Sequence, residues 1–227
     1  MKKLIATLTL VSFLTLSAAA QSKEAKRVEN AGQVMTEILN VPDNIPQALI
    51  DKADCVIVLP SVLKAAFIVS GNYGRGVMTC RTNNFKGPWG APTMMALEGG
   101  GFGLQLGGQA TDFVLLVMND RGANGILTGK VKLGADASAA AGPKGRDLAA
   151  ATDVTLRSEI LSYSRSRGLF AGISLEGSTL RPDNSANRSL YGKAVNAKAI
   201  VLNKAAAPPP SAKLLLATLD KRSPKHQ

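Results

Sequence analysis

The sequence has few of the residues on which most enzymes depend. Its 227 residues include two cysteines and one histidine, His226, which is next to last in the chain. A serine or cysteine nucleophile needs a base held within hydrogen-bond reach, and a histidine so close to the chain end is a poor candidate for that base. Two cysteines without a core histidine also fall short of a zinc site. We therefore expect no catalytic residue, no metal and no cofactor.

Aromatic residues are scarce as well, at 4% of the chain. A nucleic-acid surface built on stacked bases needs exposed Phe, Tyr or Trp, so we expect no nucleic-acid partner. The remaining composition, with 45% apolar and 19% charged residues, is that of a folded protein. The length suits one domain with a sizeable core.

One short motif resembles a catalytic pattern. The stretch SVLK, Ser61 to Lys64, matches the S-x-x-K motif in which a lysine activates a serine. A motif with two free positions is common by chance, and the K-T-G motif of that enzyme group does not follow. We interpret the stretch as a turn after a strand, with a hydrolase as the remote alternative.

The first residues have the features of a secretory signal. Lys2 and Lys3 precede an apolar stretch from Leu4 to Leu16, and small residues follow at 18–20. The apolar stretch is short for a membrane span, which needs about 20 residues, although an uncleaved anchor is the alternative. We predict a signal peptide over 1–20 and a mature chain from Gln21 that is periplasmic or secreted, soluble or peripheral on a membrane.

Export bears on the two cysteines, Cys55 and Cys80. An oxidising compartment favours a disulfide between them. Two buried thiols at strand positions fit the sequence equally well, because spacing along the chain does not give their separation in space. Cys55 and Cys80 are therefore a candidate disulfide, with both states left open.

Positive charge is concentrated in the second half of the chain. The formal charge of +11 falls to +9 without Lys2 and Lys3. Residues 21–40 are neutral, residues 41–120 carry a net charge of −1, and residues from 121 onward carry +10. One side or end of the molecule is thus predicted to attract an anionic partner such as phospholipid headgroups or an acidic protein face. The alternative is that the excess charge only keeps the protein soluble.

Apolar periodicity predicts an α+β fold. Residues 22–40 repeat apolar side chains at helical spacing, and a second short helix is expected near Pro46. The body, 41–203, contains short apolar runs separated by turn residues, which indicates a strongly bent antiparallel sheet, barrel-like, with short covering helices. These include a helix from DRGANGILTG and a closing helix capped by Asn184 or Ser185. Residues 204–227 follow a proline run and are predicted to form a basic tail.

A glycine-rich stretch, LEGGGFGLQLGGQATD at 97–112, raises the question of a phosphate loop. Position 106 is Leu, so the dinucleotide fingerprint fails, and no P-loop lysine follows. Phe102, Leu104 and Leu106 alternate with smaller residues instead, which predicts a strand with one nearly bare face. Such faces suit a tight bend or the close approach of another backbone.

The stretch LSYSRSRGLFAG is the stronger candidate for anion binding. As a strand it places Tyr163, Arg165 and Arg167 on one face, where neighbouring arginines repel unless they meet solvent or an anion. The alternative is a solvated strand whose arginines lie over apolar neighbours. Lys130 and Lys132 are predicted to share the face of another strand. The region 158–183 is predicted to form two strands.

Four blocks of the sequence, in order, resemble the SYLF-domain family. They are IPQALIDKADCVIVLPSVLKAAFIVSGNYGRGVMTCR, WGAPTMMALEGGGFGLQLGGQATDFVLLVMN, LGADASAAAGPKGRD and SYSRSRGLFAGISLEGS. Together they span roughly residues 41–191, most of the chain after the predicted signal. The order and length of the blocks make the resemblance specific.

The resemblance implies a non-catalytic module that binds phosphoinositides or other anionic phospholipids, and actin filaments in fungal members. It also implies that an amphipathic helix ahead of the body contributes to membrane binding, here Ser22 to Leu39, with Lys23, Lys26 and Arg27 near its start. We expect the phospholipid contacts at Arg165 and Arg167, then Lys130 and Lys132, then this N-terminal cluster. The alternative function is a cell-envelope structural or interaction protein whose basic face or tail binds an acidic partner.

Overall fold

The computed structural model describes residues 23–66, 70–101, 109–145, 157–166 and 169–226. The predicted signal peptide, Gln21 and Arg167 lie outside these residues, and so does most of the strand predicted at 101–108.

The described chain alternates short helices with the strands of one sheet. The helices are α1 (23–39), α2 (Gln47–Lys52), α3 (Asp120–Thr128), α4 (Asn184–Tyr191), α5 (Ala197–Val201) and α6 (Lys213–Arg222). The strands are β1 (Cys55–Ala66), β2 (Ser70–Cys80), β3 (Thr93–Gly101), β4 (Gln109–Val117), β5 (Val131–Lys132), β6 (Ala139–Ala141), β7 (Ile160–Ser166), β8 (Leu169–Gly172) and β9 (Thr179–Pro182).

The sheet is strongly curled. Its described strands run in the order β5-β9-β3-β2-β1-β4-β7-β6, and β8 also pairs with β7. All these pairs are antiparallel except β6 with β7. Strands β5 and β6 stand at opposite edges, which lie roughly 34 Å apart in a flat sheet of this width. Only residues 133–138 join them, and an extended link of that length reaches at most about 25 Å. The sheet must therefore bend into a half-barrel, which confirms the predicted α+β fold.

Both faces of the sheet are buried. Along β1, Val56 and Val58 point to one face, where they join a core that includes α1 and α6. Ile57 and Leu59 point to the other face, whose core contains residues of α3 and α5 and of the link between the sheet edges. Because both faces are buried, the side chains of either face are apolar, and the central strands are almost uniformly apolar in sequence.

Helix α1 forms at the predicted spacing, and its apolar side faces the core. Val28, Ala31, Met35 and Ile38 are fully buried. At Gly32 helix α6 comes so close that a Cβ atom would lie 2.9 Å from the backbone nitrogen of Leu215. The sequence thus places its smallest residue where two helices cross.

A bulge interrupts the central strand β1. Its pairing with β4 shifts register between Leu59 and Val62, its pairing with β2 shifts between Val58 and Leu63, and Ser61 has a φ of 52°. On the adjacent strand, a Cβ atom at Gly76 would lie 1.9 Å from the carbonyl oxygen of Val58. Ser61 is therefore part of a bulge inside one long strand, and the turn predicted after a strand at SVLK is wrong.

The C-terminal segment, for which we predicted a basic tail at 204–227, packs against the rest of the domain. Leu215 and Leu219 of α6 are fully buried in the same core as α1. Beyond the helix, the carbonyl of Ser223 accepts hydrogen bonds from Arg81 and from Trp89 Nε1. Leu215 and Leu219 are four positions apart and therefore lie on one side of the helix, a pattern that we did not use because the proline run ahead of it indicated a tail.

Two smaller predictions also need correction. Helix α4 is capped by Asp183, whose side chain accepts a hydrogen bond from Ala186 N, and not by Asn184 or Ser185. The region 158–183 contains three strands, β7, β8 and β9, where we predicted two. The short helix predicted from DRGANGILTG is present as α3, with Asn119 as its cap.

Cys55 and Cys80 are joined in the structure. They stand directly opposite each other on the antiparallel strands β1 and β2, and their Sγ atoms are bonded at 2.10 Å. Of the two states that the sequence left open, the structure has the disulfide.

Candidate functional site: a cationic C-terminal face

The arginine ranked first from the sequence has carboxylate partners. Arg165 Nη2 lies 2.9 Å from Asp112 Oδ2, and Nη1 is hydrogen-bonded to Glu37. Burial alone would lower the pKa of Arg165. The hydrogen bonds to these two carboxylates raise it by more than burial lowers it, so the net pKa is raised. Tyr163, predicted on the same face, is buried and donates to the carbonyl of Pro143. Arg165 therefore ties β7 to β4 and α1 with its charge balanced locally, and its role in phospholipid binding stays a prediction.

The predicted lysines Lys130 and Lys132 are exposed beside a row of paired charges. Lys132 stands opposite Thr179, which stands opposite Glu98 in the next strand. Glu98 accepts hydrogen bonds from Arg181, which lower its pKa. This part of the sheet thus carries both signs of charge.

The N-terminal cluster is mixed in the same way. Lys26 Nζ lies 3.4 Å from Glu29, and Arg27 is paired with Glu24. Lys23 is exposed. The apolar side of the same helix is buried, so the folded domain does not present it to a membrane.

The sequence analysis missed a cationic region that the structure exposes. Between Asn184 and Leu219 the sequence has five basic residues and no acidic one. All five are exposed, namely Arg188, Lys193, Lys198, Lys204 and Lys213. Half of the +10 excess after residue 120 therefore falls between the start of α4 and the first residue of α6. Counting acidic residues along the chain in short windows would have found it.

The fold holds this region together through side chains near α4 and α5. Asn184 Oδ1 accepts a hydrogen bond from Ala197 N, which links the two helices. Lys193 Nζ donates to the carbonyl of Ala205 at 2.7 Å. Lys204 Nζ donates to Asn83 Oδ1 at 2.9 Å. These links anchor the basic segment to its own backbone and to the turn that follows β2.

The turn after β2 is followed by one more basic residue and by no acidic residue. Asn83, Asn84 and Phe85 have φ between 54° and 64° and form a left-handed turn, with Lys86 exposed immediately after it. The sequence from Cys55 to Leu97 contains no acidic residue. We call the exposed side chains Lys86, Arg188, Lys193, Lys198 and Lys204 the cationic face. Lys193 and Lys204 of this face donate to neutral oxygens, so their charges are not balanced by these contacts and the face is suited to attract an anion.

The two segments also enclose a groove of about 310 Å³. Residues 80–91 form one wall and residues 200–208 form the other. The lining is apolar for the most part and includes Trp89, Ile200, Ala206 and Pro208, with Lys204 among the lining residues.

The described residues were compared with the requirements of a metal site. They contain no group of three or more His, Cys, Asp or Glu side chains placed to hold a metal ion. His226 Nε2 lies 3.0 Å from Asp54 Oδ1, and burial raises the pKa of Asp54. This pair fastens the chain end to the start of β1. Within the same described residues, no helix is both long and apolar enough to span a bilayer.

Comparisons with known proteins identify one family. Residues 98–222 match the family model Ysc84, described as "Las17-binding protein actin regulator". The chain is 33% identical over 210 residues to Protein YSC84 of Saccharomyces cerevisiae, covering 91% of the chain and 44% of that protein. It is 31% identical over 210 residues to LAS seventeen-binding protein 3 of the same organism, covering 91% of the chain and 45% of that protein.

A human relative is similar to the same degree. SH3 domain-containing YSC84-like protein 1 of Homo sapiens is 36% identical over 191 residues, covering 82% of the chain and 54% of that protein. The chain thus spans about half the length of these relatives. Among them, LAS seventeen-binding protein 3 carries the name of a binding protein.

Proposed function

The chain belongs to the Ysc84 family, the SYLF family of the sequence analysis, and from this membership we propose that it is a non-catalytic module that binds anionic phospholipid surfaces. The observation that carries the proposal is the cationic face. Five exposed basic side chains lie on segments whose sequences, 55–97 and 184–219, contain no acidic residue.

Several cations acting together are needed for such binding. A lysine or arginine near an anionic membrane contributes about 1 kcal/mol, and the contribution falls off within a Debye length. One exposed lysine is therefore weak, whereas three to five together supply about 3–5 kcal/mol, which corresponds to roughly millimolar attraction to an anionic surface. Arg165, Lys26 and Arg27 contribute less to this field because carboxylates lie beside them.

The mode of binding follows from the burial of α1. Val28, Met35 and Ile38 fill the core, so their insertion into a membrane would expose the sheet face that they cover. We therefore propose that the folded domain lies on the membrane surface through its cations, without insertion of α1.

Vesicle co-sedimentation tests the proposal. The chain from Gln21 is mixed with neutral phosphatidylcholine vesicles and with vesicles that contain a phosphatidylserine fraction, at several salt concentrations. We expect binding to the anionic vesicles alone, and weaker binding as salt rises. Equal binding to both vesicle types, unchanged by salt, would contradict the proposal.

An acidic protein partner is the second candidate, favoured by the family description, which names Las17 binding and actin regulation. The same cationic face would meet the acidic surface. Co-sedimentation with actin filaments tests this candidate, with the vesicle assay run in parallel. A deletion after Ala205 is unsuitable for testing the C-terminal segment, because it removes Leu215 and Leu219 from the core. Lys221→Gln with Lys225→Gln removes two of the three positive charges after residue 220 and leaves the buried leucines in place.

We also propose that the chain is exported, as its first residues predict. The test is the N-terminal sequence of the protein recovered from the periplasm or the medium of the producing cell. A mature start near Gln21 is expected, and an intact Met1 in a cytoplasmic fraction would contradict it.

A further inference from the structure

The groove between residues 80–91 and 200–208 has firmly placed walls. On one side, Trp89 Nε1 donates to the carbonyl of Ser223 at 3.1 Å, and the guanidinium of Arg81 lies 4.3 Å from the ring centroid. Gly90 N donates to the carbonyl of Cys80, which ties this wall to the end of β2. The indole is therefore held in one orientation by contacts on its polar edge and on its face.

The opposite wall is fixed by backbone hydrogen bonds. Ala205 N donates to the carbonyl of Ala199 at 3.0 Å, which turns the chain back on α5. Ile200 and Ala206 form a small apolar cluster with Ala91 from the first wall. The floor of the groove is thus apolar and continuous across both walls.

A cation stands in the lining of this apolar space. Lys204 lines the groove, and its ammonium group is held by the neutral amide oxygen of Asn83. Neither sequence segment that forms the walls contains an acidic residue. An apolar floor with one cation in its lining complements a molecule that has an apolar chain and an anionic head.

We propose that the groove binds one anionic amphiphile, with part of an alkyl chain against Trp89, Ile200 and Pro208 and the anionic head at Lys204. The volume of about 310 Å³ is at the low end of the roughly 300–1,000 Å³ typical of ligand pockets, which suits part of one chain. This inference rests on the proposed function and deepens it, because it proposes that the domain binds the head and part of one alkyl chain of a single lipid molecule in addition to the charged membrane surface.

Trp89 is the only tryptophan of the chain, so its emission reports on the groove directly. The probe is dodecyl phosphate, titrated below the concentration at which it forms micelles. Butyl phosphate has the same head with a short chain, and dodecyl maltoside has the same chain with a neutral head. We expect a saturable emission change with dodecyl phosphate, and at least roughly fivefold weaker binding for both comparison ligands.

Substitutions locate the site. Lys204→Gln should weaken dodecyl phosphate binding roughly fivefold, whereas Lys213→Gln, an equal loss of charge outside the groove, should leave it within twofold. Ala206→Leu and Ala207→Leu fill the groove and should each weaken binding by tenfold or more. Ala207 is exposed, so that variant keeps the test available if Ala206→Leu fails to fold, as judged by circular dichroism.

The outcomes separate this inference from the proposed function. Vesicle binding without saturable binding of dodecyl phosphate would overturn the groove and leave the surface-binding proposal standing. Saturable binding that responds to the groove variants, without vesicle binding, would support the groove as a ligand site and contradict the surface proposal. Equal affinity for dodecyl maltoside and dodecyl phosphate would overturn the inference and would point to an apolar protein segment as the occupant. Unchanged dodecyl phosphate binding in Lys204→Gln and in both leucine variants would also overturn it.

Discussion

Removing the buried guanidinium of Arg81 should strongly destabilise the domain. Its side chain is 1% exposed and donates to the carbonyls of Ala53, Ser223 and Lys225. It thereby joins the start of β1 and the end of β2 to the chain beyond α6. Burial lowers the pKa of Arg81, and the carboxylates of Asp51, Asp220 and Asp54 oppose that shift.

The cost of Arg81→Met follows from these contacts. The methionine fills much of the same space but removes the donor to the carbonyls of Ala53 and Lys225, at about 1–3 kcal/mol for each group that water does not reach, while the carbonyl of Ser223 keeps its hydrogen bond from Trp89 Nε1. It also removes the stacking on Trp89, worth about 2 kcal/mol when desolvated. Because such terms do not add fully, we expect a total loss of roughly 3–5 kcal/mol, the usual cost of removing one member of a buried charged set.

Urea denaturation followed by far-ultraviolet circular dichroism measures this loss. The control is Arg181→Met, because Arg181 is paired with Glu98 where both side chains are partly exposed, and it should cost less than about 1 kcal/mol. Equal costs for Arg81→Met and Arg181→Met would refute the view that Arg81 fastens the C-terminal segment to the sheet.

Two further substitutions test the fold. Gly76→Ala should lower the melting temperature markedly because the added Cβ atom would overlap the carbonyl of Val58. In the control Gly125→Ala, inside α3, the added Cβ atom meets nothing closer than 3.7 Å, and the free energy of unfolding should rise by up to about 1 kcal/mol. A melting temperature of Gly76→Ala close to that of wild type would contradict the close approach of β2 to the bulge. Burial raises the pKa of Asp183, but hydrogen bonds from Ser185 and Ala186 N outweigh it and the net pKa is lowered. Its ionised form therefore stabilises the fold above the ordinary aspartate pKa and loses that effect as pH falls through the lowered value. The stability gap between wild type and Asp183→Asn, from denaturation at several pH values, should shrink below about pH 4, and a constant gap would refute the sign.

Local patterns predicted the elements that depend on neighbours in sequence. The buried positions of α1, Val28 to Ile38, follow helical spacing, and the apolar runs that became β1 to β4 alternate as strands do. A strongly bent sheet could be predicted from the number of short apolar runs in the sequence. Its closure was not, because it depends on the short link between β5 and β6, and β6 pairs with β7, about 20 positions further along the chain.

The site was harder to predict because charge pairing is a property of the folded chain. Arg165 is separated from its partners Asp112 and Glu37 by 53 and 128 positions, so nothing near it in sequence shows that its charge is balanced. The cationic face is different. The absence of acidic residues from Asn184 to Leu219 is visible in the sequence, and the structure adds that the five basic side chains there are exposed.

The most direct test of the cationic face compares two triple variants on vesicles that contain phosphatidylserine. One carries Arg188→Gln, Lys193→Gln and Lys198→Gln. The other carries Lys23→Gln, Lys130→Gln and Lys132→Gln, an equal loss of charge at positions predicted from the sequence. At about 1 kcal/mol for each cation, the first variant should bind roughly a hundredfold more weakly than wild type, and the second should stay within about tenfold. Equal losses, or a greater loss in the second variant, would contradict the assignment of binding to the cationic face.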